Sequence, residues 1–205
     1  KLETTSKYPV KDKEALSIVY TPGVGAVSDF IGKNPQSAYD LTLKGRTVGV
    51  VSDGSAILGL GNLGPEAALP VMEGKCLLFK TFAGLDAFPI VINAHETERI
   101  IDFIKMIAPT FAAINLEDIS APRCFEIEAA LQDLGIPVMH DDQHATAIAV
   151  LGPLQAAVAL SGQSWFKTKV VINGAGAAGS AVAKMLCCLG FDKGYCSSVS
   201  DVIIL

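Results

Sequence analysis

Neither a disulfide framework nor a structural zinc site is indicated: the five cysteines, Cys76, Cys124, Cys187, Cys188 and Cys196, are odd in number and form no C-x-x-C pair. Reduced thiols of this kind fit a reducing, cytoplasmic compartment. Charge is scarce as well. Only 18% of the 205 residues are charged, and 16 basic against 21 acidic side chains leave a net charge of -5 with no Lys/Arg cluster. Phosphate backbones and anionic membrane surfaces require concentrated positive charge, so no nucleic acid and no membrane are expected among the partners. Residues 1–8 lack the apolar segment of a secretory signal, and the last residues carry no lipidation or retention address. The longest uncharged stretch, 145–166, is broken by Thr146, Gly152, Pro153, Gln155 and the run from Ser161 through Gly162 and Gln163 to Ser164. It falls short of the roughly 18 continuous apolar residues of a membrane span and reads as a buried helix. Fixed-period repeats and low-complexity tracts are missing too. Lys1 is not a start Met and Leu205 stands inside an apolar run, so the sequence is expected to be a fragment of a longer chain.

What is present is a half-apolar chain with 19 glycines, long enough to bury a sizeable core. Short β-branched runs at 47–51, 89–93, 112–116, 136–140, 170–173 and 202–205 alternate with longer amphipathic segments at 66–79, 98–107, 123–134, 148–160 and 178–189. Strands apolar on both faces, each followed by a helix, predict an α/β fold on a parallel sheet. Ser120 and Pro122 read as the cap and first turn of the third helix, and Gly135 as its stop. The polar seam at 161–169 and the helix before it divide the chain into a first domain, 1–143, and a second domain, 144–205.

The sharpest local signal is a strand running into Gly174, Ala175, Gly176, Ala177, Ala178 and Gly179, the G-x-G-x-x-G of a dinucleotide turn. Gly174 allows the tight turn, Gly176 lets backbone amides approach a pyrophosphate, and Gly179 lets the helix pack on the strand. Residues 144–205 are therefore expected to be the first βαβ unit of a truncated Rossmann domain binding NAD or NADP. The acidic residue expected about 20 positions further on has no clear counterpart, which leaves the two cofactors undistinguished. A glycine turn used only for packing is the plainer alternative.

A second signal is acidic. Glu117 and Asp118 follow one predicted strand, Asp141 and Asp142 the next, and the carboxyl edge of an open α/β sheet is where ligands bind. Carboxylates brought together repel and raise one another's pKa unless a cation sits among them, and an all-oxygen set suits Mg²⁺ or Mn²⁺. The alternative is two acidic pairs capping successive helices. His140 and His144 stand four apart like a helical zinc pair, but the glutamate of that motif is absent and a strand ending at His140 would separate the rings. Lys75, flanked by Gly74 and by Cys76, Leu77 and Leu78, is a candidate base if it faces inward, where desolvation and a nearby cation depress an amine's pKa; Lys80 competes. Tyr20 precedes a Thr21-Pro22-Gly23 turn, and the glycine-dense run 53–65 is suited to close approach by a ligand or by neighbouring backbone.

Taken together, segments 20–24, 53–65, 70–75, 115–119, 140–147 and 174–179 resemble malic enzyme, in its shorter bacterial-type form, in family order over nearly the whole chain. The resemblance implies oxidation of L-malate by NAD(P)⁺ and decarboxylation to pyruvate, with Mg²⁺ or Mn²⁺. It implies Tyr20 as proton donor, Lys75 as general base with Asp141 supporting it, and Glu117, Asp118 and Asp142 as metal ligands. Residues 174–179 are the implied dinucleotide turn, and a homodimer or higher homo-oligomer the implied assembly. Ala145 stands where the family usually has glycine, and Ser55-Ala56 lacks an arginine of larger members. A non-catalytic relative that binds metal or a partner is the alternative function.

Overall fold

The computed structural model describes residues 2–191 and 202–204. The chain opens with helices α1 (Lys13–Val19) and α2 (Gly23–Lys33) and a short α3 (Ala38–Leu41). Asp12 caps α1, its carboxylate accepting from the Ala15 amide at 2.7 Å. None of these helices was anticipated, because Pro22, Gly23, Gly25 and Gly32 depress intrinsic helicity there. They bury no residue. Lys44 pins this layer to the rest, its ammonium donating to the carbonyls of Ala108, Pro109 and Phe111 at 3.2, 3.0 and 2.9 Å.

An α/β unit follows: β1 (Thr47–Ser52), α4 (Pro65–Leu78), β2 (Asp86–Val91), α5 (Thr97–Ile107), β3 (Ala113–Leu116), α6 (Arg123–Ala130) and β4 (Val138–His140). The strands pair in the order β2-β1-β3-β4, all parallel. β1 is buried along its length, as a central strand covered on both faces must be. Its side chains alternate: Val48 and Val50 join Ala68, Met72 and Cys76 of α4, while Val51 joins Ile100 and Ile104 of α5 and Ile127 of α6. The core is thus two apolar layers split by the sheet. Because the connection from β1 leads to one neighbour and the chain later returns to the other, the order reverses between β1 and β3. That reversal opens a crevice at their carboxyl ends.

Helix α7 (Asp141–Leu160), β5 (Val170–Ile172), α8 (Ala177–Phe191) and β6 (Val202–Ile204) complete the described chain. β5 and β6 form a separate parallel pair, and Ala147 of α7 packs with Ala181, Val182 and Leu186 of α8.

Several expected boundaries move. β2 begins three residues earlier than the 89–93 run suggested, since Asp86 pairs with Arg46 and Lys80 at the strand's start. α6 ends at Ala130, well before Gly135, and its cap is Pro122 with no side-chain bond; the Ser120 hydroxyl accepts from Arg123 instead. α4 continues past Leu78 into a π-helical turn, Phe79–Ala83. The largest change is α7, which starts at Asp141 rather than near 148. It is also not buried: Gln143, Ala147 and Val158 are covered while Ile148, Val150 and Leu160 are exposed, because α7 packs against α8 and β4 along one stripe only. By length and composition alone, 13–33 and 141–160 are apolar enough to cross a membrane, although the first is interrupted between α1 and α2.

Candidate active site

At the carboxyl edge, β3 delivers Glu117 and Asp118, and β4 delivers the first turn of α7 with Asp141 and Asp142. One carboxylate oxygen each from Glu117, Asp118 and Asp142 lies within 4.8 Å of the others. Glu117 and Asp118 are 5% and 3% exposed. Asp118 has a left-handed backbone, φ +54°, a conformation that costs about a kcal/mol or more in a non-glycine residue and collects at functional sites. It is held there from two sides: its amide donates to Asp142 Oδ2 at 3.1 Å, and its carbonyl accepts from the Ala56 amide at 3.0 Å.

The fourth acidic residue turns elsewhere. Asp141 Oδ2 meets Lys75 Nζ at 2.8 Å, and Glu117 Oε1 meets the same ammonium at 3.2 Å. Lys75 therefore projects from α4 into the acidic cluster, whereas Lys80 lies at the surface against Asp86. Asn115, on the same face of β3, donates to the other oxygen of Glu117 at 2.8 Å.

The electrostatics follow from this crowding. Burial, then the charge of Asp141, raises the Glu117 carboxyl to about 7. Burial, then the charge of Asp142, raises Asp118 to about 6. For Lys75, burial lowers the amine's pKa, but the hydrogen bond and charge of Asp141 and the charge of Glu117 together outweigh it, and the net shift is upward. A depressed lysine was expected; the surrounding carboxylates reverse the sign.

The donor set suits a divalent cation. Asp118 Oδ2 is buried without a hydrogen-bond partner, an arrangement that costs free energy unless a cation or another donor reaches it. All three candidate ligands offer oxygen, the preference of Mg²⁺ and Mn²⁺. The alternative helical zinc pair is not formed: His140 ends β4 fully buried, 3.6 Å from Asp142 Oδ2, while His144 on α7 binds Glu128 at 2.7 Å.

The glycine turn has the expected layout, with β5 before it and α8 after it. A Cβ on Gly179 would sit 2.0 Å from the Gly174 carbonyl oxygen, so only glycine fits; one on Gly176 would meet nothing within 4 Å. Packing does not require Gly176, and its open side leaves room for a ligand's backbone-facing group. In the 53–65 run, a Cβ on Gly54 would lie 2.2 Å from the Gly64 carbonyl oxygen; there the close approach is to neighbouring backbone. No hydrogen bond draws Tyr20 into the cluster: it is 66% exposed at the end of α1, and its hydroxyl has no partner among the described residues.

Three positions beside the site were not singled out from the sequence. Asn115 is two residues before Glu117 on one strand face, a spacing that period-2 reasoning could have flagged. Asp53 directly follows β1, at the same edge as Glu117. Glu128 gave no local signal: its carboxylate accepts from the His140 amide at 2.8 Å, from Gln143 at 3.1 Å and from His144, tying α6 to the start of α7.

Fold and site define an α/β protein with a lysine and clustered carboxylates at the switch point of a parallel sheet. The chain belongs to the malic enzyme family: residues 1–132 match the malic enzyme N-terminal domain. It is 56% identical over 191 residues to the NAD-dependent malic enzyme of Geobacillus stearothermophilus, covering 93% of this chain and 40% of that protein. It is 54% identical over 187 residues to the bifunctional malic/malolactic enzyme of Bacillus subtilis, covering 91% and 46%. Among solved structures, the NAD-dependent malic enzyme of Thermotoga maritima superimposes with a TM-score of 0.92 at 46% identity, over 100% of this chain and 52% of that one. The chain thus spans about half or less of the length of these relatives.

Proposed function

We propose that the whole protein to which this sequence belongs oxidises L-malate with NAD⁺ or NADP⁺ and decarboxylates the product to pyruvate and CO₂, in a reaction dependent on Mg²⁺ or Mn²⁺. The observation that carries this reading is the Lys75 ammonium bridging Glu117 and Asp141 beside the Glu117, Asp118 and Asp142 oxygens. Relatives bear both NAD- and NADP-dependent names, and either cofactor is compatible with the turn at 174–179. When bound, the divalent ion supplies electrophilic stabilisation of negative charge on the substrate's 2-oxygen and the dinucleotide supplies a hydride acceptor.

The chain's own residues do the rest. Glu117, Asp118 and Asp142 hold the ion, with Asn115 fixing the orientation of Glu117. With the surrounding carboxylates engaged by the ion, the Lys75 amine in its neutral form accepts the proton of the 2-hydroxyl, and Asp141 holds it in place before and after the transfer. The amides of the 174–179 turn and the start of α8 receive the pyrophosphate. Tyr20 is proposed to return a proton to C3 of the product. Because its hydroxyl stands in solvent on an apolar surface that includes Leu16, Ile18 and Phe30, a homo-oligomer that covers this surface is part of the proposal.

The test is Mn²⁺-dependent formation of NADH or NADPH from L-malate by the whole protein. Lys75→Ala is expected to lower kcat by about 10²–10⁴-fold and Asp142→Ala to raise the Mn²⁺ requirement steeply, while Lys80→Ala leaves turnover near the wild-type level. Unchanged kinetics in both site variants would remove the mechanism.

A further inference from the structure

We propose that Asp53 and Arg123 are positioning residues for the metal-binding carboxylates, acting through Ser55 and Ser120 on the loop that carries Asp118. The inference rests on the metal reading above and extends it to a second set of residues across the β1–β3 crevice.

Asp53, fully buried at the end of β1, uses both carboxylate oxygens. Oδ1 accepts from the Ser55 amide at 3.0 Å and from the Ser55 hydroxyl at 2.6 Å. Oδ2 accepts from Arg123 Nη2 at 2.8 Å and lies 3.7 Å from His95 Nδ1. The same Arg123 nitrogen reaches the Ser120 hydroxyl at 3.1 Å, and Nη1 donates to the His95 carbonyl. Ser55 then closes the network, its hydroxyl oxygen accepting from the Ser120 amide at 2.9 Å, next to the Ala56–Asp118 backbone bond. One guanidinium therefore joins the segments that follow β1, β2 and β3, and two bonds from the 53–56 loop hold the 118–120 loop.

Two features argue for a task beyond holding the fold together. Arg123 is the first residue of α6, where a positive charge opposes the helix dipole. Asp118 sits in its left-handed conformation between the Ala56 bond on one side and Asp142 on the other, so a displacement of the 53–56 loop shifts the carboxylate whose buried oxygen lacks a partner. Outer contacts of this kind commonly set metal affinity. Arginine is specifically suited, because two nitrogens of its rigid planar fork reach three separated acceptors, where an ammonium offers a single nitrogen.

The experiment measures Mn²⁺ binding by electron paramagnetic resonance, and thermal unfolding, on the whole protein and its variants. Asp53→Asn and Arg123→Lys are expected to weaken Mn²⁺ binding by about 10–100-fold, with the KM for the dinucleotide unchanged. Ile104→Val, a core change on α5, supplies a control that lowers Tm without moving Mn²⁺ affinity. Ser55→Ala removes only the hydroxyl link and is expected to weaken binding by about tenfold, the low end of the range for such outer contacts; it decides the matter if either charged variant does not fold. Mn²⁺ affinity in Ser55→Ala and the folded charged variants equal to wild type, whatever happens to Tm, overturns the positioning role while leaving the metal site intact. A wild-type protein that binds no Mn²⁺ overturns the metal reading itself, and this one with it.

Discussion

Glu117 and Asp118 carry protons at pH values where an ordinary carboxyl has lost them, and the consequence runs in one direction. Their folded-state values, about 7 and about 6, lie above the ordinary 4.5 and 3.8. The folded state therefore binds more protons than the unfolded state between those limits, and stability of the metal-free protein falls as pH rises from about 4 to about 7. A cation that neutralises the cluster opposes that loss. Tm measured with and without Mn²⁺ is expected to diverge as pH rises through this window, with Mn²⁺ binding tightest above about pH 7. Metal stabilisation that is flat with pH would contradict the site. At the same scale, the residues by themselves left Lys75 and Lys80 both open, although the resemblance implied Lys75: Lys80 stands in the π-helical turn that continues α4, whereas the packing of Met72 and Cys76 into the core turns Lys75 toward β3.

Elements place these residues, and their ends carry the function. α7 begins on the two aspartates, so its first turn offers one to Lys75 and the other to the cluster with Glu117 and Asp118. Glu128 holds that first turn. Glu128→Ala leaves the His140 amide unpaired in a buried setting, at about 1–3 kcal/mol, and is expected to lower Tm. The glycine turn separates packing from binding in the same way. Gly179→Ala forces a Cβ against the Gly174 carbonyl and is expected to cost about 1–3 kcal/mol, as overpacking does. Gly176→Ala meets no protein atom, so its Tm should stay near wild type while the KM for the dinucleotide rises. Equal effects on Tm from both would argue that the turn only packs. Strand and helix identities from β1 through α6 were legible in the sequence because apolar period and length agreed there. Starts and stops were less so: Ser120 reads as a cap, yet its hydroxyl is engaged by Arg123 and its amide by Ser55.

For the whole molecule, the sheet is enclosed between α4 on one face and α5 and α6 on the other, while α1 and α2 leave Leu16, Ile18, Val27 and Phe30 exposed. A second copy covering that face would bury apolar surface worth about 25 cal/mol per Å². Phe30→Asp is accordingly expected to shift the protein toward monomer in sedimentation, and an unaltered oligomeric state would relocate the interface. The sequence by itself determined the alternation of strand and helix, the acidic pairs at two strand ends and the glycine turn, because these depend on periodicity and on residue type at fixed local spacing. The division of the acidic pair, Asp142 with Glu117 and Asp118 and Asp141 with Lys75, is what the family resemblance implied; only the tertiary structure decided that the lysine's proton is held more tightly rather than less, and that Asp53 and Arg123 brace the crevice. Those outcomes depend on which strands are neighbours and on electrostatic fields summed across loops far apart in the chain, quantities that no local pattern contains.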